Sequence, residues 1–284
     1  MLFRSERLKK YRLLSVLILV CFIISTLGLA GCAQKPDSSK TTPQEKFDVS
    51  LYPNNDFLIA PQDLKEMLNS DNLVLLDCNK PDIYAKEHIP GAIGIGFHAF
   101  SDKNGKPGDP GWGTIKNKAD LQKTLESLGI NEEKTVVLYS DVFQGPGADG
   151  RAVWQLKMAG LDNVKMLVGG FSYWKQLGFD VTKEPSEPVP TTGVALKDYD
   201  ESFAATKEYV AENLGKQALI DVRSEGEFKG SQKAGEPRGG HIKGAVNMLW
   251  LNLLNEDGTP KSPDEIKNIM ASVNVKPEDE FTVY

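Results

Sequence analysis

Apolar residues in this chain recur in short unbroken blocks rather than in strict alternation. LVLLD from Leu73, TVVLYS from Thr135, VKMLVGG from Val164, ALID from Ala218 and FTVY from Phe281 each read as a strand buried on both faces. Between them lie segments with helical spacing. PQDLKEML is opened by Pro61, KADLQKTLESL is closed by Gly129, ADGRAVWQLKMAG ends at Gly160, and SYWKQL forms a last short helix from Ser172. Continuous apolar strands separated by helices predict an α/β fold in which parallel sheets are flanked by helices.

The pattern occurs twice. LVLLDCNKPDIYAKEHIPGAIGI, beginning at Leu73, matches ALIDVRSEGEFKGSQKAGEPRGGHIKGAVNM, beginning at Ala218, through a strand ending in Asp (Asp77, Asp221) and a later His-Ile-x-Gly-Ala. EKTVVLYSD from Glu133 matches EDEFTVY from Glu278 and pairs Tyr139 with Tyr284. A repeat of this length predicts two copies of one domain. We expect the first at residues 57–182, a stiff linker with three prolines at 183–193, and the second at 194–284. The first copy spends 42 residues, Ser140 to Val181, on a loop, a helix, a strand and a closing helix that have no counterpart after Tyr284. The second copy is therefore expected to be incomplete, lacking the equivalent of Ser140 to Val181, with an uncovered strand and marginal stability.

The first thirty residues change the picture of where the protein works. MLFRSERLKKYR carries five basic residues and is followed by LLSVLILVCFIISTLGLAGC without a charge, the order of an export signal. Leu29-Ala30-Gly31-Cys32 resembles a bacterial lipobox, with Cys32 as the lipidation site. The competing reading is a plain membrane anchor with an incidental cysteine. Residues 1–31 are expected to be the lipoprotein signal peptide and 32–56, polar and aperiodic, a flexible tether, placing the body on the extracytoplasmic face of the membrane.

The formal charge is −6, and removal of residues 1–31 takes away five basic residues and one acid, leaving about −10. An acidic body argues against nucleic acid as a partner. Of the three cysteines, Cys21 lies in the signal and Cys32 at the lipid site, so Cys78 stands alone in the body and no disulfide is expected. One thiol and the scattered His88, His98 and His241 give no metal cluster.

LIDVR, GEPRGGHIKGAVNM, HIPGA, TVVLYSD and GRAVWQLKMAGLDNVKMLVGGFSYWKQLGFDV together resemble the tandem sulfurtransferases of the rhodanese family, from about Phe57 to Tyr284. The resemblance implies transfer of sulfane sulfur from thiosulfate or a similar small donor to a thiophilic acceptor, with no cofactor. It places catalysis in the second copy, where the strand equivalent to FTVY delivers a cysteine into a tight anion-cradling loop, so that the nucleophile is expected immediately after Tyr284 and none lies within the chain. The first copy has Ser140 and Asp141 at that place and is expected to be non-catalytic.

Arg223 and Arg238 are the candidate substrate-binding residues, Arg223 being equally readable as the structural partner of an acid. Thiosulfate enzymes of the family often carry Arg where this chain has Glu227, which separates it from that specificity pattern. His88 and His241 open the same turn in both copies, which favours a structural role. Cys78 is read as a buried small apolar residue, and Trp154 and Trp174 as core.

Three explanations compete for the position of the last residue. They are a decayed or frame-shifted gene, a short non-catalytic binding module, and a catalytic selenocysteine encoded by UGA after Tyr284; the coincidence with the catalytic position favours the last. A phosphatase on the same fold would need a longer anion loop.

Overall fold

A computed structural model describes residues 45–107, 109, 111–232 and 238–284. The expected signal, the tether up to residue 44 and Cys32 lie outside the described residues, among which no helix is long and apolar enough to cross a membrane.

The first half builds a five-stranded sheet. The elements run β1 (Leu58–Ile59), α1 (Pro61–Met67), β2 (Leu73–Asp77), α2 (Pro81–Tyr84), β3 (Ile93–Gly94), α3 (Lys118–Ser127), β4 (Thr135–Tyr139), α4 (Ala148–Met158), β5 (Val164–Leu167) and α5 (Gly170–Gln176). All pairings are parallel, in the order β1-β5-β4-β2-β3, with β2 and β4 in register from Leu73↔Thr135 to Asp77↔Tyr139. The period of two along each strand divides its side chains between two cores. Val74, Leu76, Val136 and Leu138 meet Leu121 and Leu125 of α3 and Leu156 of α4 on one face. Leu75, Val137 and Tyr139 meet Leu64 of α1 and Phe171 and Trp174 of α5 on the other. This is the reason the strands read as unbroken apolar blocks.

Local signals set the helix ends. Pro61 starts α1 where its missing N–H costs nothing, and Asn117 caps α3 by accepting the Asp120 N–H at 3.0 Å. Gly129, at φ +74°, turns the chain after α3 so closely that a Cβ there would stand 2.4 Å from the Val189 carbonyl. The segment after Thr182 is held along α3, with Thr191 N–H donating to the Glu126 carbonyl and Gly193 N–H to its carboxylate. Val194 and Leu196 are buried in the first core, so this strap continues past residue 193 before the chain departs.

The second half is smaller. It comprises α6 (Lys207–Glu212), β6 (Ala218–Asp221), α7 (Glu225–Phe228), β7 (Val246–Asn247), α8 (Pro263–Ser272) and β8 (Phe281–Val283). Its sheet is parallel in the order β7-β6-β8, which repeats β3-β2-β4 of the first. Its buried core cluster is Ile220, Met248 and Val275. β8 is an edge strand, with Phe281 49% and Val283 52% exposed. Each fully buried aliphatic side chain contributes about 1.5–3 kcal/mol, so the second core adds far less than the first.

Both halves use one device at the His-Ile-x-Gly-Ala turn. His88 stacks on Tyr84 with ring centroids 3.9 Å apart, and its Nδ1 lies 2.8 Å from the Tyr84 carbonyl. His241 stacks on Phe228 at 3.6 Å with Nδ1 2.8 Å from the Phe228 carbonyl. The copies differ in burial. His88 is fully buried, and its Nε2 also reaches the Glu184 carbonyl at 3.0 Å, pinning the strap, whereas His241 is exposed. Replacement of His88 by Ala is expected to cost about 2–4 kcal/mol, through a cavity and a stranded carbonyl, and replacement of His241 by Ala under about 1 kcal/mol. Urea unfolding midpoints of the two variants check this, and equal losses would show that burial does not separate them.

Candidate functional site

Ligand sites of open parallel sheets lie beyond the carboxyl ends of the strands, which here are Asp77, Tyr139, Asp221 and Tyr284. In both halves the same two residues organise this end. The Tyr139 hydroxyl accepts the Ile89 N–H at 3.0 Å, and the Tyr284 hydroxyl accepts the Ile242 N–H at 2.9 Å. Cys78 N–H donates to the Tyr139 carbonyl at 2.8 Å, and Val222 N–H to the Tyr284 carbonyl at 3.0 Å. The sequence alignment of Tyr139 with Tyr284 is thus an alignment of hydrogen bonds.

Beyond Tyr139 the first loop is filled with its own negative charge. Asp141 is buried, and its carboxylate accepts from the Phe143 N–H, the Gln144 side-chain amide at 2.8 Å and the Ser172 hydroxyl at 3.0 Å. Asp149, on the first turn of α4, accepts from Ser140 N–H and hydroxyl and from the Gly150 N–H. Donors that could hold an external anion are occupied, and two carboxylates repel one. Gly170, at φ +58°, brings the start of α5 so near that a Cβ would meet the Ser140 carbonyl at 2.3 Å, which closes the loop from the far side. Cys78 is buried beside this network, and burial first, then the charges of Asp149 and Asp77, push its thiol well up, away from the reactive thiolate. The small apolar role read for it from sequence agrees with this placement.

Beyond Tyr284 the second half is arranged differently. Asp221 is fully buried, and Arg223 grips it through Nε to Oδ1 at 3.0 Å and a second N–H to Oδ2 at 2.5 Å. The same guanidinium donates to the Gly240 carbonyl at 2.9 Å and stands 5.5 Å from the Tyr284 ring centre. Burial pushes the Asp221 carboxyl up, but hydrogen bonds and charge from Arg223 outweigh it and hold it below its usual range. The hydrogen bond to Asp221 raises Arg223 in turn. Arg223 is therefore both anchored to an acid and adjacent to the strand end, so the two sequence readings of it describe one position. Arg238 is exposed and lies beside residues 233–237, outside the described set. Glu227 accepts from Ser224 N–H and hydroxyl in a capping box at the start of α7, which occupies its carboxylate with structure.

Two apolar cavities flank the end of β8. One, of about 750 Å³, is walled by Trp154, Phe203, Val210, Leu219, Thr282 and Tyr284. The other, of about 600 Å³, lies between the halves and is walled by Val142, Gly147, Val222, Trp250, Val283 and Tyr284. Trp154, expected in the core, is instead half-buried in the cleft, with its indole N–H donating to the Phe203 carbonyl at 2.7 Å; Trp174 is in the core as expected. α4 turns Trp154 outward because Val153 and Leu156 already face the sheet. Sequence reasoning also passed over Arg151, which lines both cavities. A cation early in α4, where the helix dipole favours anions, was the available signal. Among the described residues no group of three or more potential metal ligands comes together.

The buried carboxylate of Asp149 gives a pH test. Burial outweighs its hydrogen bonds and raises its pKa, so the folded state holds a proton that the unfolded chain releases near pH 4. Stability from this group is full below the unfolded pKa and is lost as pH rises through the folded one. Between the two values the urea midpoint of the wild type is expected to fall with pH more steeply than that of D149N; parallel pH profiles would place the titration elsewhere.

With the geometry in hand, comparison with known proteins is direct. A rhodanese-like domain profile matches residues 60–177 and 206–284. The thiosulfate sulfurtransferase of Bos taurus is 34% identical over 68% of this chain, and the chain spans 64% of that protein, less than two thirds of its length. A thiosulfate sulfurtransferase of Pseudomonas aeruginosa is 30% identical over 83% of this chain and 84% of its own. A solved 3-mercaptopyruvate sulfotransferase of Escherichia coli superposes with a TM-score of 0.66 at 23% identity, over 80% of this chain and 87% of that one, which shows a common fold. The chain belongs to the rhodanese-like domain family, which it carries as two domains, the second shorter than the first.

Proposed function

We propose that the protein is a lipid-anchored sulfurtransferase of rhodanese type, held on the extracytoplasmic face of a bacterial membrane through Cys32, whose nucleophile is the residue following Tyr284. The observation that carries the reading is the repeat of the strand-end geometry. β8 lies on β6 as β4 lies on β2, with Tyr284 bound as Tyr139 is, so the next residue takes the place of Ser140. At that place the apolar cavities and Arg223 are at hand.

The chemistry follows from a cysteine or selenocysteine at that position. Its anion attacks the outer sulfur of thiosulfate, the S–S bond breaks, sulfite leaves with the electron pair, and the enzyme retains a persulfide or selenenyl sulfide. A thiophilic acceptor then takes the outer sulfur and returns the nucleophile as its anion. Arg223, positioned by Asp221, and Arg238 are the cations of the second domain that could steer an anionic donor. The first domain, its loop satisfied internally, serves as the wall of the cleft.

Thiosulfate-dependent thiocyanate formation from cyanide tests the reading. The chain ending at Tyr284 is expected to give none, whereas a chain continued in frame through a cysteine or selenocysteine loop is expected to turn over and to lose that turnover when the residue is changed to Ser. A folded, continued chain without turnover would leave a non-catalytic binding protein. For the anchor, C32S is expected to abolish palmitate incorporation and to move the protein out of the membrane fraction; unchanged labelling and fractionation would remove Cys32 from that role.

A further inference from the structure

Residues 45–56, ahead of β1, form an arm that reaches from the first domain to the second. Several bonds tie it to the first. Lys46 pairs with Asp63 of α1, Asp56 pairs with Lys157 of α4 at 2.9 Å, and the Met166 N–H donates to the Phe57 carbonyl at 2.6 Å. Local bonds hold its shape. Asp48 caps a short turn at Val49–Leu51 by accepting the Ser50 N–H at 2.9 Å, and the Asn55 side-chain amide donates to the Tyr52 carbonyl at 2.8 Å. The contact with the second domain is made by Tyr52, a half-buried ring stacked on Phe47 with centroids 5.9 Å apart. Its hydroxyl lies 3.1 Å from the Pro260 carbonyl and 3.0 Å from the Lys261 carbonyl, more than two hundred residues along the chain.

The partner of Tyr52 is a hairpin at residues 253–261 that is braced within itself. Leu254 bridges Pro260 in antiparallel fashion, the Lys261 N–H donates to the Leu253 carbonyl at 2.9 Å, and the Asn255 side-chain amide donates to the Pro260 carbonyl at 3.1 Å. The tip of the hairpin rests on the first domain. Gly258, at φ +85°, has a Cβ position 3.1 Å from the Gly169 carbonyl and 3.6 Å from the Phe143 ring. Leu253, Leu254, Gly258 and Pro260 also wall the cavity of about 600 Å³ that Val283 and Tyr284 line. Tyr52 therefore grips the hairpin that forms one side of the cleft.

A tyrosine hydroxyl has one proton to donate, so the two carbonyls share it. Burial first, and then the charge of Glu265, push the pKa of Tyr52 up, which keeps the hydroxyl a donor. We propose that the arm is an interdomain clasp, in which Tyr52 latches the 253–261 hairpin to the first domain and so sets the width of the cleft beside Tyr284. One shared proton is a weak hold on a domain with a small core. Release of the latch is thus the movement by which the hairpin, and the second domain with it, swings away and opens the cleft. The inference goes beyond the sulfurtransferase reading and does not need it, since the clasp holds the domains whatever the cleft binds.

The test measures the distance between the domains in the full chain. Spin labels are carried on p-acetylphenylalanine at the exposed positions of Lys123 in α3 and Lys267 in α8, so that no cysteine is used. The wild type is expected to give one narrow distance distribution. Y52F, which removes a single oxygen, is expected to enlarge a longer-distance population about fivefold, the loss of one ordinary hydrogen bond. Hydrogen exchange on the same variant is expected to leave the amides of β2 and β6 protected, because both domains stay folded while they separate. A Y52F distribution identical to the wild type, even with a lowered melting temperature, would make Tyr52 a local contact and overturn the proposal. Loss of protection in β6 with β2 intact would do the same, since Tyr52 would then hold the fold of the second domain and not its position. So would a wild type whose distances are already broad.

Discussion

Each domain ties down a strand end with a tyrosine hydroxyl, on a fully buried ring in the first and a half-buried one in the second. In a parallel sheet the strand end is where backbone pairing stops and a loop must begin, and the first unpaired groups there need partners from elsewhere in the chain. Tyr139 and Tyr284 supply one by accepting the N–H of Ile89 and Ile242, which ties the strand end to a turn made some forty to fifty residues earlier. The ring fills the space beneath the turn, and the hydroxyl lies beside the strand-end acid, Asp77 or Asp221. A phenylalanine would fill the same space and strand an isoleucine N–H.

The two copies resolve the acid beside that hydroxyl in opposite ways. In the first, Asp77 has no salt-bridge partner among the described residues; burial raises its pKa, and one of its oxygens has no hydrogen bond among them, the other accepting from the Asn79 N–H at 2.7 Å. Burial thus disfavours its charged form, which suits a domain whose loop is already satisfied. In the second, Arg223 neutralises Asp221 with two hydrogen bonds and spends a further one on Gly240. A bidentate pair at a buried carboxylate fixes the loop that carries it, and the loss of either partner would leave an uncompensated charge. The second copy thus holds an ion pair at its strand end where the first holds an acid without a salt-bridge partner among the described residues.

Much of this was legible in the residues. Unbroken apolar strands, the Pro and Gly that bracket the helices, and the His-Ile-x-Gly-Ala repeat all report local or nearest-neighbour physics, and the structure places them as read. Glu227 is a capping partner three residues from Ser224, a local pattern visible in the sequence as Ser-x-x-Glu. Arg151 and Trp154 were less legible because their roles are set by what faces them across the fold. Trp154 has the spacing of a core residue and is turned to the cleft because the same helix has more buried apolar positions than one face can hold. Arg151 donates to the Gly113 carbonyl and the Ser101 hydroxyl, partners that only the tertiary fold brings to it.

The hydrogen bonding of the first loop also explains why it offers an external anion no cradle. An anion cradle needs free N–H donors, and the first domain has given its donors to Asp141 and Asp149. Those carboxylates are buried and hydrogen-bonded, so they cannot be displaced without exposing a stranded charge or a stranded N–H, each costing about 1–3 kcal/mol or more. The first loop is therefore closed on energetic grounds, and its residues border the neighbouring cleft. Gly147 shows the consequence. Its left-handed backbone, φ +75°, ends the loop and starts α4 directly against the Trp250 ring of the second domain, with a Cβ position 3.9 Å from it. The turn thus faces a protein side chain, and the helix it starts brings Arg151 to a cavity it shares with Tyr284.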